Sequence, residues 1–392
     1  MKDKFDGSVA DSQATAVTPV RPADFDIARY EAYEAGLNER CQAFWKAPEG
    51  VLVYRRMRVA EVFSAGCADR EASLQWQLGA LRESTKFKAD VPNFLEPWYG
   101  LGVLATAYGF DYLWEPGQAP AIGPRVGFGK SRIEASAAPG KFASVEELLA
   151  APFCPVAQTP IGRRNLEMIE YFLDQTDGRL PMSYADVQSP LNTLSNIVET
   201  CQFYLDFCLN PEAVRAAMER TARLTADYVR LQRELIGDAL VKPGHGFSSS
   251  RMFDGLGQSD DSMTMLSPDL YAGLCIPAMV QAADGAGGPV FHSCGNWSDK
   301  RRLVAGIPGL RMADGAFSLA TDPGANPAEG FADSFAHTGI VLNVRIVGGP
   351  DVVEQKVRQL WKPGMKLIVV TYCNTPQEQA QVYDRIHEIC QS

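Results

Sequence analysis

The stretch KLIVVTYCNTPQEQAQVYDRIHEIC, residues 366–390, passes from a block of apolar residues directly into a helical pattern. The block lacks polar alternation, which is how a strand buried on both faces reads. Thr375 then offers an N-cap oxygen, Pro376 suits a first helical position where no N–H is needed, and Glu378 completes a capping box. A strand that hands over to a helix so quickly is half of a crossover unit, so its sheet partners are expected to be parallel.

Similar apolar blocks lie at VLVYRRMR (51–58), DVPNFLEP (90–97), LPMSYADV (180–187), GPVFHSC (288–294), LRMADGA (310–316) and IVLNVRI (340–346). Helical patterns alternate with them. Asn210 before Pro211 and Ser267 before Pro268 repeat the cap-then-proline signal, and Ser144 with Glu147 reads as a second capping box. Val214, Met218, Leu224, Tyr228, Leu231 and Leu235 give one long helix an apolar stripe, and Ile27 to Phe44 reads as a helix ahead of the first strand. The expectation is an α/β fold with a parallel sheet, open or closed into a barrel, in one domain over residues 26–392 behind a flexible arm at 1–25.

Composition narrows the function classes. The 392 residues carry a formal net charge of −10 and no Lys/Arg run, so the basic stripe that nucleic-acid binding requires is missing. The N-terminus has no apolar leader region and no segment is an uninterrupted membrane-length apolar run, which predicts a cytoplasmic protein without membrane contact. Nine scattered cysteines form no regular framework, so structural disulfides are not expected. Neither of the usual glycine-rich phosphate loops occurs, which argues against a nucleotide cofactor.

Chemistry concentrates in GPVFHSCGNW, residues 288–297. His292 and Cys294 are two apart at a strand end and so share a face. Cys373 closes the last strand, and in a barrel the carboxyl ends of strands converge on one mouth. An imidazole and two thiolates suit Zn²⁺ in tetrahedral geometry, and three protein ligands leave one position for substrate. The competing reading of the same residues is a buried cysteine and a hydrogen-bonded core histidine.

FHSCGNWSD followed by the distant VVTYCNTP resembles the zinc site of the methyltransferase branch of the uroporphyrinogen decarboxylase superfamily. SDDSMTMLSPDLYAGLCIPAM (259–279) and LPMSYADVQSPLNTL are similar to further segments of that family. The resemblance implies a (β/α)8 TIM-like barrel with an N-terminal helical extension, in which Zn²⁺ is held by His292, Cys294 and Cys373. It also implies methyl transfer between a methylated small molecule, or a thiol acceptor, and the cobalt of a corrinoid. The corrinoid-carrying pattern D-x-H-x-x-G is absent, so the cobalamin is expected on a partner corrinoid protein. Members of the decarboxylating branch need no metal and carry R-Q-A-G-R after the first strand, where this chain has YRRMR with Arg55, Arg56 and Arg58. A metal-free decarboxylase and a non-catalytic binding barrel are therefore the alternatives.

Further candidates surround this centre. Glu96 is a possible fourth ligand or proton donor, and one of Asp260 and Asp261 is expected to face the site as an acid–base group. Tyr184 is a catalytic candidate, expected on the same side of its strand as Asp186. Asp186, Asp314, Asn343 and the loop residue His245 are candidate substrate contacts. Trp98 and Tyr99, with Trp297 nearby, offer aromatic surface, although aromatic residues more often simply pack. Cys201 and Cys208 read as core residues.

Overall fold

The computed structural model describes residues 13–127 and 140–391. Six parallel strands form the main sheet: β1 (Gly50–Arg55), β4 (Leu256–Ser259), β5 (Pro289–Ser293), β6 (Met312–Ala316), β7 (Val341–Arg345) and β8 (Lys366–Thr371). Their order is β1-β8-β7-β6-β5-β4. A separate antiparallel pair, β2 (Phe110–Leu113) and β3 (Ala121–Arg125), follows the first strand in sequence.

The fold is thus mixed α/β with a six-stranded parallel sheet rather than eight regular strands. The blocks at 90–97 and 180–187 form no ladder. Single bridges join Leu95 to Met182 and Met182 to Leu240, and the Asp90 N–H reaches the Val53 carbonyl at 2.8 Å. Pro92, Pro97 and Pro181 explain the interruption, because each removes a donor from any ladder it would join. Conversely, β4 lies in a Gly/Ser-rich stretch whose sequence reads as loop.

Strict alternation sorts the strands' side chains onto two faces. Leu52, Tyr54, Val290, Met312, Val341, Ile368, Val370 and Tyr372 cluster on one face, closed from beside by Phe44 and Phe247. Val53, Phe291, Ala313, Leu342, Val344, Leu367, Val369 and Cys373 pack on the other, in the large core shared with the helices. The longest helix, Pro211–Ile236, buries Val214, Met218, Leu224 and Tyr228 there, as the apolar stripe predicts.

Helix starts follow the predicted chemistry except at one. Ser144, Ser267 and Thr375 each accept from the backbone N–H three residues on. Asn210 makes no such cap and donates instead to Asp206 at 3.1 Å. After Ser267 the helix Pro268–Leu270 widens into a π-turn, Tyr271–Cys275, before Ile276–Ala282 continues. Pro277 lacks the donor an α-helix would need there, which accounts for the wide turn.

Residues 1–12 of the expected flexible arm lie outside the described residues. From Gln13 on, the arm is docked rather than free. Ala14 bridges to Arg58, the Val20 N–H bonds to the Gln75 carbonyl at 2.8 Å, and Val20 is buried. Gly79 permits this approach, since a Cβ there would lie 2.3 Å from the Thr18 carbonyl oxygen. Among the described residues no helix is long and apolar enough to cross a membrane.

Candidate metal centre and cavity

One row across the sheet builds the centre. The register sets His292 beside Asp314, Asp314 beside Asn343, and Asn343 beside Ile368. Two residues earlier on the same face, Val290, Met312 and Val341 are apolar and packed. The polar row therefore stands on a hydrophobic floor at the carboxyl ends of the strands.

Asp314 is fully buried and organises its neighbours. Its carboxylate contacts His292 Nδ1 and accepts from Arg345 Nε at 3.0 Å and from Asn343 Nδ2. Ser248 Oγ in turn donates to Asn343 Oδ1 at 2.6 Å. With Nδ1 engaged, the other ring nitrogen of His292 is aimed at Cys294 Sγ, 3.2 Å away. Burial would lower the pKa of His292, but Cys294 and Asp314 outweigh it and hold it well above the ordinary range.

The third donor is Asp261, at the turn after β4. Its Oδ1 accepts from the Cys294 N–H at 2.6 Å, and its Oδ2 accepts from Asn192 Nδ2 at 3.3 Å. Ligand atoms of Asp261, His292 and Cys294 all lie within 4.8 Å of one another. Asp260 faces away, held by Ser189 Oγ and Tyr271 Oη, and burial pushes its carboxyl up to about 6. Of the two acids, only Asp261 joins the centre.

Cys373 does not join it. It shares the helix-facing core with Leu367 and Val369, whereas Tyr372 takes the face that carries the centre. The reason is parity: from Ile368 and Val370 the next residue on that face is Tyr372, and Cys373 falls on the other. Burial pushes the Cys373 thiol up to about 12, as expected of a core thiol.

A cavity of about 330 Å³ opens beside the centre, lined among others by Asp261, His292, Cys294, Asp186, His245 and Trp98. In the same lining, His245 Nδ1 lies 2.6 Å from Glu96 Oε2, and His245 Nε2 is 3.8 Å from Asp186 Oδ2. Arg56 Nη2 stands 3.7 Å from the other Glu96 oxygen. Burial would push the Glu96 carboxyl up, but His245 and Arg56 prevail and hold it down at about 2. Asp186 shows the opposite balance: burial wins over His245 and raises its pKa. The pair thus presents one carboxylate held low in pKa and one raised, both beside the same imidazole.

Several sequence candidates lie elsewhere. Tyr184 packs in the helix-facing core, because the 181–188 segment forms bridges only and strand parity does not hold between Tyr184 and Asp186. Tyr99 turns away from the cavity, with Tyr112 and Trp114 as ring neighbours at 6.4 and 5.5 Å. Trp297 is buried against Phe291 and Phe331. Cys201 and Cys208 are exposed, on the outer side of a helix whose Phe203 and Phe207 are the buried positions.

Arg345 and Tyr372 were not singled out by sequence reading, although alternation along IVLNVRI from Asn343 points to Arg345. Glu96, Asp314 and Asn343 stand behind cavity-lining side chains rather than on the surface of the cavity.

No family model and no curated protein matches this sequence. The fold does match that of a solved methyltransferase from Methanosarcina mazei, with TM-score 0.61 over 90% of this chain and 98% of that one, at 14% sequence identity. At that identity the likeness establishes a shared fold, the class to which the chain is assigned.

Proposed function

We propose that the protein is a zinc-dependent methyltransferase that moves a methyl group between a small methylated molecule, or a thiol acceptor, and the cobalt of a corrinoid carried on a separate protein. The observation that carries this reading is the buried Asp314 carboxylate on His292 Nδ1 with His292 Nε2 facing Cys294 Sγ. A carboxylate behind a histidine is how proteins orient a metal-ligating imidazole. The donor set of one imidazole, one thiolate and one carboxylate fits Zn²⁺. The fold shared with a methyltransferase from Methanosarcina mazei agrees with the reading.

His292, Cys294 and Asp261 would hold the ion, in place of the set with Cys373 that sequence reading favours. Zn²⁺ there would supply Lewis acidity to the oxygen or sulfur that exchanges the methyl group. Removing a methyl group from oxygen or sulfur leaves the bonding pair on that atom, which then needs a proton or a compensating charge. His245 faces the cavity with Glu96 beside its Nδ1 and Asp186 3.8 Å from its Nε2, so it delivers that proton. In the reverse direction the same imidazole removes a proton from a thiol acceptor. Trp98 closes one wall and limits water.

The test is metal content followed by turnover. Wild-type protein is expected to carry one zinc per chain, Cys294→Ala to lose both metal and methyl transfer, and Cys373→Ala to retain metal. Wild-type protein that remains metal-free after incubation with zinc sinks the reading, and decarboxylation by such protein would support the alternative enzyme.

A further inference from the structure

The cavity wall beyond the metal centre holds a buried cation with unused capacity. Arg345 is nine-tenths buried and lines the cavity. Its Nε donates to Asp314, but its Nη2 has no hydrogen-bond partner among the described residues. Asp314 cannot neutralise it alone, because the same carboxylate serves His292 and Asn343. An unsatisfied buried guanidinium nitrogen costs free energy unless something else meets it.

A second guanidinium adds to the demand. Arg56 lines the same cavity over the Phe63 ring, and its described polar contacts, the Glu96 carboxylate and the Gly246 carbonyl, lie at 3.2 Å or more. Arg56 and Arg345 are close enough for their like charges to repel. Tyr372, on the same face, is within electrostatic reach of both, and its buried hydroxyl also lacks a partner among the described residues. Phe63, Trp98 and Phe247 supply an apolar wall beside them.

We propose that the substrate is a small organic acid whose carboxylate is held by Arg345 Nη2 with support from Arg56, its apolar body lying along Phe63, Trp98 and Phe247. The planar fork of arginine matches a carboxylate, and an anion beside both the buried Arg345 and the half-buried Arg56 guanidinium relieves their repulsion. The proposal deepens the proposed methyl transfer and rests on its reading of this cavity as the substrate pocket.

Benzoate and benzamide, matched in shape and different in charge, are the probes, titrated calorimetrically into full-length protein with and without added zinc. Benzoate is expected to bind at least about tenfold more tightly than benzamide, the scale of a charged hydrogen bond. Arg345→Gln is expected to abolish that preference. Should Arg345→Gln fail to fold, Arg56→Gln, which leaves Asp314 untouched, is expected to reduce the preference severalfold. Equal binding of the two probes, including no binding of either, overturns the proposal, as does a preference that these variants leave intact. Zinc content is read on the same samples. A benzoate preference in protein unable to bind zinc sinks the metal chemistry and leaves the carboxylate site, whereas zinc without a benzoate preference does the reverse.

Discussion

Asp314 shows how one buried side chain can set the chemistry of several others. Its single charge orients the His292 ring, anchors Arg345 and fixes the Asn343 amide. Replacing it by Asn keeps the shape but removes the charge that favours a metal-ligating imidazole. Asp314→Asn is expected to weaken zinc affinity about 10–100-fold, the usual effect of losing such a supporting partner, as measured by competition with a chromophoric chelator. An affinity equal to wild type would mean that Asp314 only packs. The spacing of His292 and Cys294 puts both on one face because same-face spacing along a strand is a local property, whereas Asp314, expected as a substrate contact, comes beside His292 through the pairing of two strands. Sequence reading misassigned Cys373 because a cysteine just past a strand end shifts face with a single residue of register.

At the scale of elements, the contact between the N-terminal arm and the helix Arg70–Ser84 turns on one missing methyl group. Alanine normally favours a helix over glycine by about 1 kcal/mol. At Gly79 the sign should reverse, because a Cβ would sit 2.3 Å from the Thr18 carbonyl oxygen and backbone would have to move. Gly79→Ala is expected to destabilise the protein by about 1–3 kcal/mol in urea unfolding. It should also speed amide exchange at Val20, whose N–H bonds to Gln75 in that helix. A stabilised variant with unchanged exchange would show that the arm is not seated there. The arm matters to the site because Gln13 lines the cavity and donates to the Thr321 carbonyl at 3.3 Å. Nothing in the polar sequence of the arm announces this docking, since its contacts lie on residues distant in the chain.

For the whole molecule, the buried charges around the cavity couple stability to pH. Glu96 is held at about 2, below its ordinary 4.5. An acid depressed on folding stabilises the native state above its unfolded pKa, and that contribution fades as pH falls from about 4.5 towards 2. The melting temperature of Glu96→Gln should therefore lie below wild type near pH 6, with the gap narrowing as pH falls below about 4.5 and closing only near pH 2. A gap independent of pH would show that the carboxylate is not charge-paired. The sequence by itself determined the alternation of strands and helices, the parallel sheet and the face shared by His292 and Cys294, because periodicity and caps are written in consecutive residues. Only the tertiary structure decided that Asp261 rather than Cys373 stands beside them, that Glu96 backs His245 at the cavity wall, and that Arg345 keeps an unused donor. Those outcomes depend on register between strands and on loop paths, which arise from contacts between residues far apart in the chain.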